Sequence, residues 1–147
     1  MKKLIFIFIF LTSCSLTSGN EVETIPIVEL TYQNLDGEFV SEDLTNKETI
    51  IVFWADYWGI CRQELPVLEE NLKNLTDEYD VIALAHSDKE NTTNWVKSNL
   101  KGDLKVGFSN EEIRDTYKVI GQPLTIILNK DGEIIYREYG YIPINDL

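Results

Sequence analysis

The stretch from Thr49 to Pro66 constrains the fold of this chain more than any other. Thr49-Ile50-Ile51-Val52 runs into Phe53-Trp54-Ala55 without a charge. An apolar run of that length, with no polar alternation, predicts a strand covered on both faces. From Gly59 to Glu78 the period changes. Leu65, Leu68, Leu72 and Leu75 fall at helical spacing and predict a helix with one core-facing stripe. Pro66 lies inside that helix and should kink it unless the packing accommodates it. Arg62 and Glu64 are read as its solvated face. Between strand and helix lie Asp56-Tyr57-Trp58-Gly59-Ile60-Cys61, three aromatics with Trp54 and one thiol. A buried strand feeding a helix through a short loop is the unit of an α/β fold.

The rest of the chain supplies partners for that unit. Ile25–Tyr32 reads as a strand, Asp36-Gly37 as a hairpin turn, and Glu38–Val40 as the returning strand. Ser41 to Leu44 reads as one helical turn capped by Ser41. Asp80–His86 is a second buried strand. Asn91 caps a helix running to about Leu100, with Trp95 and Val96 inward. Lys105–Phe108 is a short strand, and Ser109-Asn110-Glu111-Glu112 is a capping box that opens a helix to Tyr117 or Lys118. Tyr117-Lys118-Val119-Ile120-Gly121-Gln122-Pro123 is a loop. Leu124–Asn129 and Glu133–Tyr139 form a closing hairpin across the Asn129-Lys130-Asp131-Gly132 turn.

The first residues are of another kind. Lys2 and Lys3 precede the apolar run Leu4–Leu11, which is too short to span a bilayer. Leu11-Thr12-Ser13-Cys14 resembles the bacterial lipobox, in which the cysteine is lipidated and becomes the mature N-terminus. This gives a lipoprotein signal peptide over residues 1–13, a lipidated Cys14 with a flexible tether over 14–24, and one domain over 25–147. The chain has two cysteines, Cys14 and Cys61. With Cys14 assigned to the lipid, no disulfide between them is expected. The formal charge is −12, which argues against nucleic acid and against anionic lipid surfaces. A lipid on Cys14, rather than basic residues, would hold the protein at a membrane.

Phe53-Trp54-Ala55, Cys61-Arg62, Glu64 and Pro66 together resemble the active-site segment of the thioredoxin superfamily. The likeness is to the membrane-anchored TlpA/ResA-like thiol–disulfide oxidoreductases, in which Phe-Trp-Ala precedes Trp-Cys-x-x-Cys and a Glu-x-Pro follows. Tyr57 replaces the tryptophan before the motif, and Trp58 stands where the first cysteine belongs. The loop ending at Gln122-Pro123 resembles the superfamily's Val-x-Gly-x-Pro loop, whose proline is cis and faces the motif. The resemblance implies a thioredoxin-like α/β fold: a central mixed β-sheet flanked by helices, with an N-terminal β-hairpin. It also implies a closing helix, which this sequence lacks after Pro143; either the fold does without it or the chain is truncated.

In Cys-x-x-Cys chemistry the first thiolate attacks and the second resolves the mixed disulfide. Here only the resolver position, Cys61, keeps a thiol. Val52 stands where thioredoxins carry a buried aspartate. The resemblance therefore implies an exported bacterial cell-envelope protein with weak or single-thiol redox activity, acting on protein thiols or disulfides. In that reading Cys61 is the remaining thiol and Trp58 the replaced nucleophile. Trp54, Tyr57, Gln122 and Pro123 would hold the substrate. The alternative is a non-enzymatic module binding extended peptides through the aromatics and the Pro123 loop. A peroxiredoxin-like peroxidase fits less well: its Thr-x-x-Cys would need threonine at Trp58, and its proline would fall at Trp54. His86, the one histidine, reads as a strand-end surface residue. No cofactor is expected, and one histidine with one thiol does not make a zinc set.

Overall fold

The computed structural model describes residues 26–140. The segments read above as a signal peptide and a tether, Cys14, Ile25 and residues 141–147 lie outside the described residues. Ten elements follow in order: β1 (Glu29–Asn34), β2 (Phe39–Asp43), β3 (Glu48–Trp54), α1 (Gly59–Leu75), β4 (Tyr79–Ala85), α2 (Lys89–Asn99), β5 (Lys105–Phe108), α3 (Glu111–Thr116), β6 (Leu124–Leu128) and β7 (Ile134–Tyr139). The seven strands make one mixed sheet in the order β2-β1-β5-β4-β3-β6-β7.

The apolar run sets the centre of this sheet. β3 pairs parallel with β4 and antiparallel with β6, and every residue from Thr49 to Trp54 is buried. The connections β3-α1-β4 and β4-α2-β5 step the same way across the sheet. Right-handed crossovers then put α1 and α2 on one face. On that face Ile50, Val52 and Trp54 pack with Cys61, Leu65, Leu68 and Val96. On the other, Ile51 and Phe53 pack with Leu84, Ile113, Tyr117 and Leu124. Period-two alternation along β3 thus feeds two cores at once.

Several local expectations change. Ser41 to Asp43 is strand, not a helical turn, because Ser41 and Glu42 pair antiparallel with Thr31 and Leu30. Sheet pairing overrides a capping sequence only one turn long. α1 ends at Leu75, where Thr76 N–H bonds Leu72 O at 2.8 Å. It runs unbroken through Pro66. The cap of α2 is Asp88, whose carboxylate accepts from Asn91 N–H at 2.9 Å, so Asn91 lies inside the helix. The cap of α3 is Asn110, accepting from Ile113 N–H at 2.8 Å. Ser109 instead donates to Ala85 O at 3.1 Å.

Two close contacts fix how the layers meet. At Gly107 of β5 a Cβ would lie 2.2 Å from Tyr32 Cδ2, so the Tyr32 ring can sit on the strand only if that residue is glycine. On the α1 side, Glu69 reaches the loop between α2 and β5. Its carboxylate accepts from Lys101 N–H (2.7 Å), Gly102 N–H (2.9 Å), Asp103 N–H (3.0 Å) and Leu104 N–H (3.4 Å). Burial raises the Glu69 pKa, but these four backbone donors outweigh it and hold the carboxyl below its ordinary value. A lowered folded pKa adds stability above the unfolded value, and that stability is lost as pH falls through the folded one. Glu69→Gln should therefore cost about 2 kcal/mol at pH 7. In urea melts the gap to the parent should close as pH drops below about 4.3. A gap that is the same at pH 7 and pH 3 would contradict the charge-assisted clamp.

Candidate thiol site

The site forms where β3 ends and α1 begins. Trp54 O accepts from His86 N–H at 2.9 Å, which ties the end of β3 to the residue after β4. Asp56 N–H donates to Ser87 Oγ at 3.5 Å. The Arg62 guanidinium turns back from α1 to donate to Asp56 O. Trp58 N–H bonds Ala55 O at 3.2 Å, and Arg62 N–H bonds Trp58 O at 3.1 Å. These bonds place Trp58 as the N-cap of α1, with extended backbone (φ −91°, ψ 122°) and no side-chain cap. The residue at that position would feel the helix N-terminus most strongly, and here it carries an indole.

Cys61 lies in the first turn, three residues after Trp58 and on the same helix face. It is 0% exposed and belongs to the core with Val52, Trp54 and Leu65. Burial pushes its thiol pKa up from the ordinary value. Main-chain hydrogen bonding at Ala55 opposes the shift, and the Glu64 carboxylate adds to it. The neutral thiol is therefore the favoured form at neutral pH. Cys61 is the one free cysteine among the described residues.

The loop before β6 comes to the same place. The Gln122–Pro123 peptide bond is cis. Pro123 is buried, and its carbonyl accepts from Gly140 N–H at 3.0 Å. Gln122 Nε2 donates to Tyr57 Oη at 2.9 Å, so this loop and the motif loop are joined directly. Tyr57 and Trp58 rings stand 6.4 Å apart. Tyr57, Trp58, Ile60 and Ile120 are all exposed, Ile120 at 89%. Their exposure contrasts with the covered thiol of Cys61.

The structure thus joins Gln122, beside Pro123, to Tyr57, sets Tyr57 against Trp58, and places Cys61 three residues further along α1. It removes Trp54. That indole is 0% exposed and packs on Trp95 at 5.4 Å between ring centroids. The alternation of β3 points it into the α1–α2 core, so it is a packing residue and cannot touch a partner. Glu64 is also corrected. It is 2% exposed, on the core side of α1 beside Cys61, not on a solvated face. His86 is exposed and lines a cavity of about 440 Å³ with Tyr57, Ser87, Lys89 and Ser109. Among the described residues no group of three or more His, Cys, Asp or Glu could hold a metal.

Sequence reasoning missed Arg114 of α3. Its Nη1 donates to Gln122 Oε1 at 3.4 Å and its Nη2 to Val119 O at 3.2 Å. No local signal marks it, because the contact depends on how α3 sits against the following loop. Glu64 was findable: Cys61, Glu64, Leu65, Leu68, Glu69 and Leu72 share one helical stripe.

A family model described as the AhpC/TSA family matches residues 23–137. The chain belongs to that family. Among curated proteins it is similar to the thioredoxin-like protein YneN of Bacillus subtilis, at 27% identity over 110 residues (72% of this chain, 65% of that one). It is also similar to the thiol–disulfide oxidoreductase ResA of Bacillus cereus, at 30% over 113 residues (73% of this chain, 64% of that one). The match thus spans just under two thirds of each relative. The fold is shared with the exposed lipoprotein thioredoxin Etrx1 of Streptococcus pneumoniae, with a TM-score of 0.68 at 23% identity, covering 78% of this chain and 90% of that one. The chain is a TlpA/ResA-like member of the thioredoxin superfamily with an α/β thioredoxin-like fold.

With Cys14→Ser, Cys61 is the chain's only thiol. Its alkylation in the folded protein should follow an apparent pKa above the free-thiol value of about 8.5, returning to that value in urea. A folded-state pKa below about 8.5 would show that the helix N-terminus outweighs burial. The sign for stability follows from the raised pKa. The contribution of Cys61 is complete below the unfolded pKa and is lost as pH rises through the folded one.

Proposed function

We propose that this protein exchanges disulfides through one thiol, Cys61, on the outer side of a bacterial membrane to which a lipid on Cys14 holds it. The observation that carries the reading is that Cys61 lies in the first turn of α1 and the loop entering that helix is bonded, through Tyr57, to Gln122 of the cis-Pro123 loop. In the reaction, Cys61 gives up its proton and its sulfur attacks one sulfur of a partner disulfide. A Cys61–partner disulfide forms, the partner's S–S bond breaks, and the leaving thiolate takes up a proton. No second thiol at Trp58 is there to resolve the product, so a thiol of a second protein must do so. Rates are low, because the buried neutral thiol must be uncovered and ionised first. The substrates are protein thiols and disulfides of the envelope. The names of the similar proteins, a thiol–disulfide oxidoreductase and an exposed lipoprotein thioredoxin, support the chemistry and the location.

A second reading has its own observation. Tyr57, Trp58, Ile60 and Ile120 are exposed while Cys61 is not. That surface, beside the Pro123 loop, suits holding an extended peptide without bond exchange. The two readings separate in a turnover assay on the Cys14→Ser chain. The single-thiol reading predicts one covalent adduct per molecule with a disulfide-bonded peptide and no multiple turnover. Trp58→Cys, which supplies an attacker at the N-cap, should then reduce the peptide catalytically in the presence of a dithiol reductant. A parent that binds the peptide but forms no adduct would leave the binding module as the function.

A further inference from the structure

We infer that Arg114, Gln122 and Tyr57 form a latch that controls access to Cys61, with Arg114 as a positioning residue outside the motif. The inference rests on the proposed single-thiol function and names how that site is regulated. The Gln122 side chain is held at both ends. Its Oε1 accepts from Arg114 Nη1 at 3.4 Å, and its Nε2 donates to Tyr57 Oη at 2.9 Å. Arg114 is itself fixed to the loop twice. Its carbonyl accepts from Val119 N–H at 2.8 Å, and its Nη2 donates to Val119 O at 3.2 Å. The relay therefore runs from α3, across the cis-Pro loop, to the motif loop.

Tyr57 passes the constraint on. Its ring leans on Trp58, with centroids 6.4 Å apart, and Trp58 sits one turn before Cys61 on the same helix face. Tyr57 is 61% exposed, so core packing does not hold it in place. Tyr57 also lines the cavity of about 440 Å³ with His86, Ser87 and Ser109, which gives the ring room to move once the Gln122 bond is broken. The ligand that breaks it is an extended polypeptide strand. A backbone carbonyl of the strand replaces Tyr57 Oη as acceptor for Gln122 Nε2, and an apolar side chain covers Trp58 and Ile120. The thiol is then uncovered fastest when a polypeptide is in place, and small disulfides in the medium reach it slowly.

The test uses the full chain with Cys14→Ser and measures the rate of Cys61 with a small aromatic disulfide, alongside the urea midpoint. Tyr57→Phe keeps the exposed ring and removes only the acceptor. It should raise the rate about 3- to 10-fold, the range expected for one net hydrogen bond, and leave the midpoint unchanged. Gln122→Leu should do the same. The double variant should react no faster than either single one, because all three lose the same bond. Arg114→Met should also raise the rate, which a residue serving α3 stability alone would not do at an unchanged midpoint. Finite rates that are equal in parent and variants overturn the latch and leave single-thiol exchange standing. So do effects of the two substitutions that multiply. A thiol inert in every variant until urea unfolds the chain overturns the latch and the single-thiol function together.

Discussion

Everything in this fold hangs on β3 being buried from both sides. The strand hydrogen-bonds to β4 on one edge and β6 on the other, and its side chains enter two cores by turns. Because Thr49 to Trp54 is fully enclosed, the end of the strand is a fixed point. The motif loop starts there, α1 starts one short loop later, and the β4 end is bonded to Trp54 O. The loop before β6 reaches the same place because β6 is the other neighbour of β3. The site is thus where three adjacent strands deliver their ends, and this needs no contact beyond those that build the sheet.

The chemistry at that point is set by which side chains occupy it. An N-cap position favours an anion, and in this chain it holds Trp58. The thiol sits a turn deeper, in apolar surroundings beside Glu64, which together favour its neutral form. Val52, in the same core, offers no proton acceptor. Fold and site therefore separate here: the frame is thioredoxin-like, while the local electrostatics disfavour a standing thiolate. A fold of this kind does not by itself specify activity.

The sheet and helices were legible because their signals are long or doubly marked. The apolar run of β3 and the leucine stripe of α1 are each repeated over several residues, and the Asp36-Gly37 turn has its glycine at φ +86°. What was misread was short or depended on tertiary placement. Ser41 to Leu44 carried a cap signal one turn long and lost to pairing with β1. Trp54 read as a substrate-holding residue by its nearness to the motif, although the alternation of β3 already placed it with Ile50 and Val52. Glu64 read as solvated by its charge, although its spacing from Cys61 and Leu68 put it on the buried stripe. The Arg114–Gln122–Tyr57 relay joins three segments far apart in sequence, so no local pattern could show it.

The most direct test of the account is a redox titration of the folded Cys14→Ser chain against glutathione buffers, read by intact mass. The account predicts a single glutathione on Cys61 under oxidising conditions, fully removed under reducing ones, with the chain folded throughout. An unmodified protein across the whole range, becoming modified only after unfolding, would make Cys61 a core residue and contradict the claim that this site exchanges disulfides.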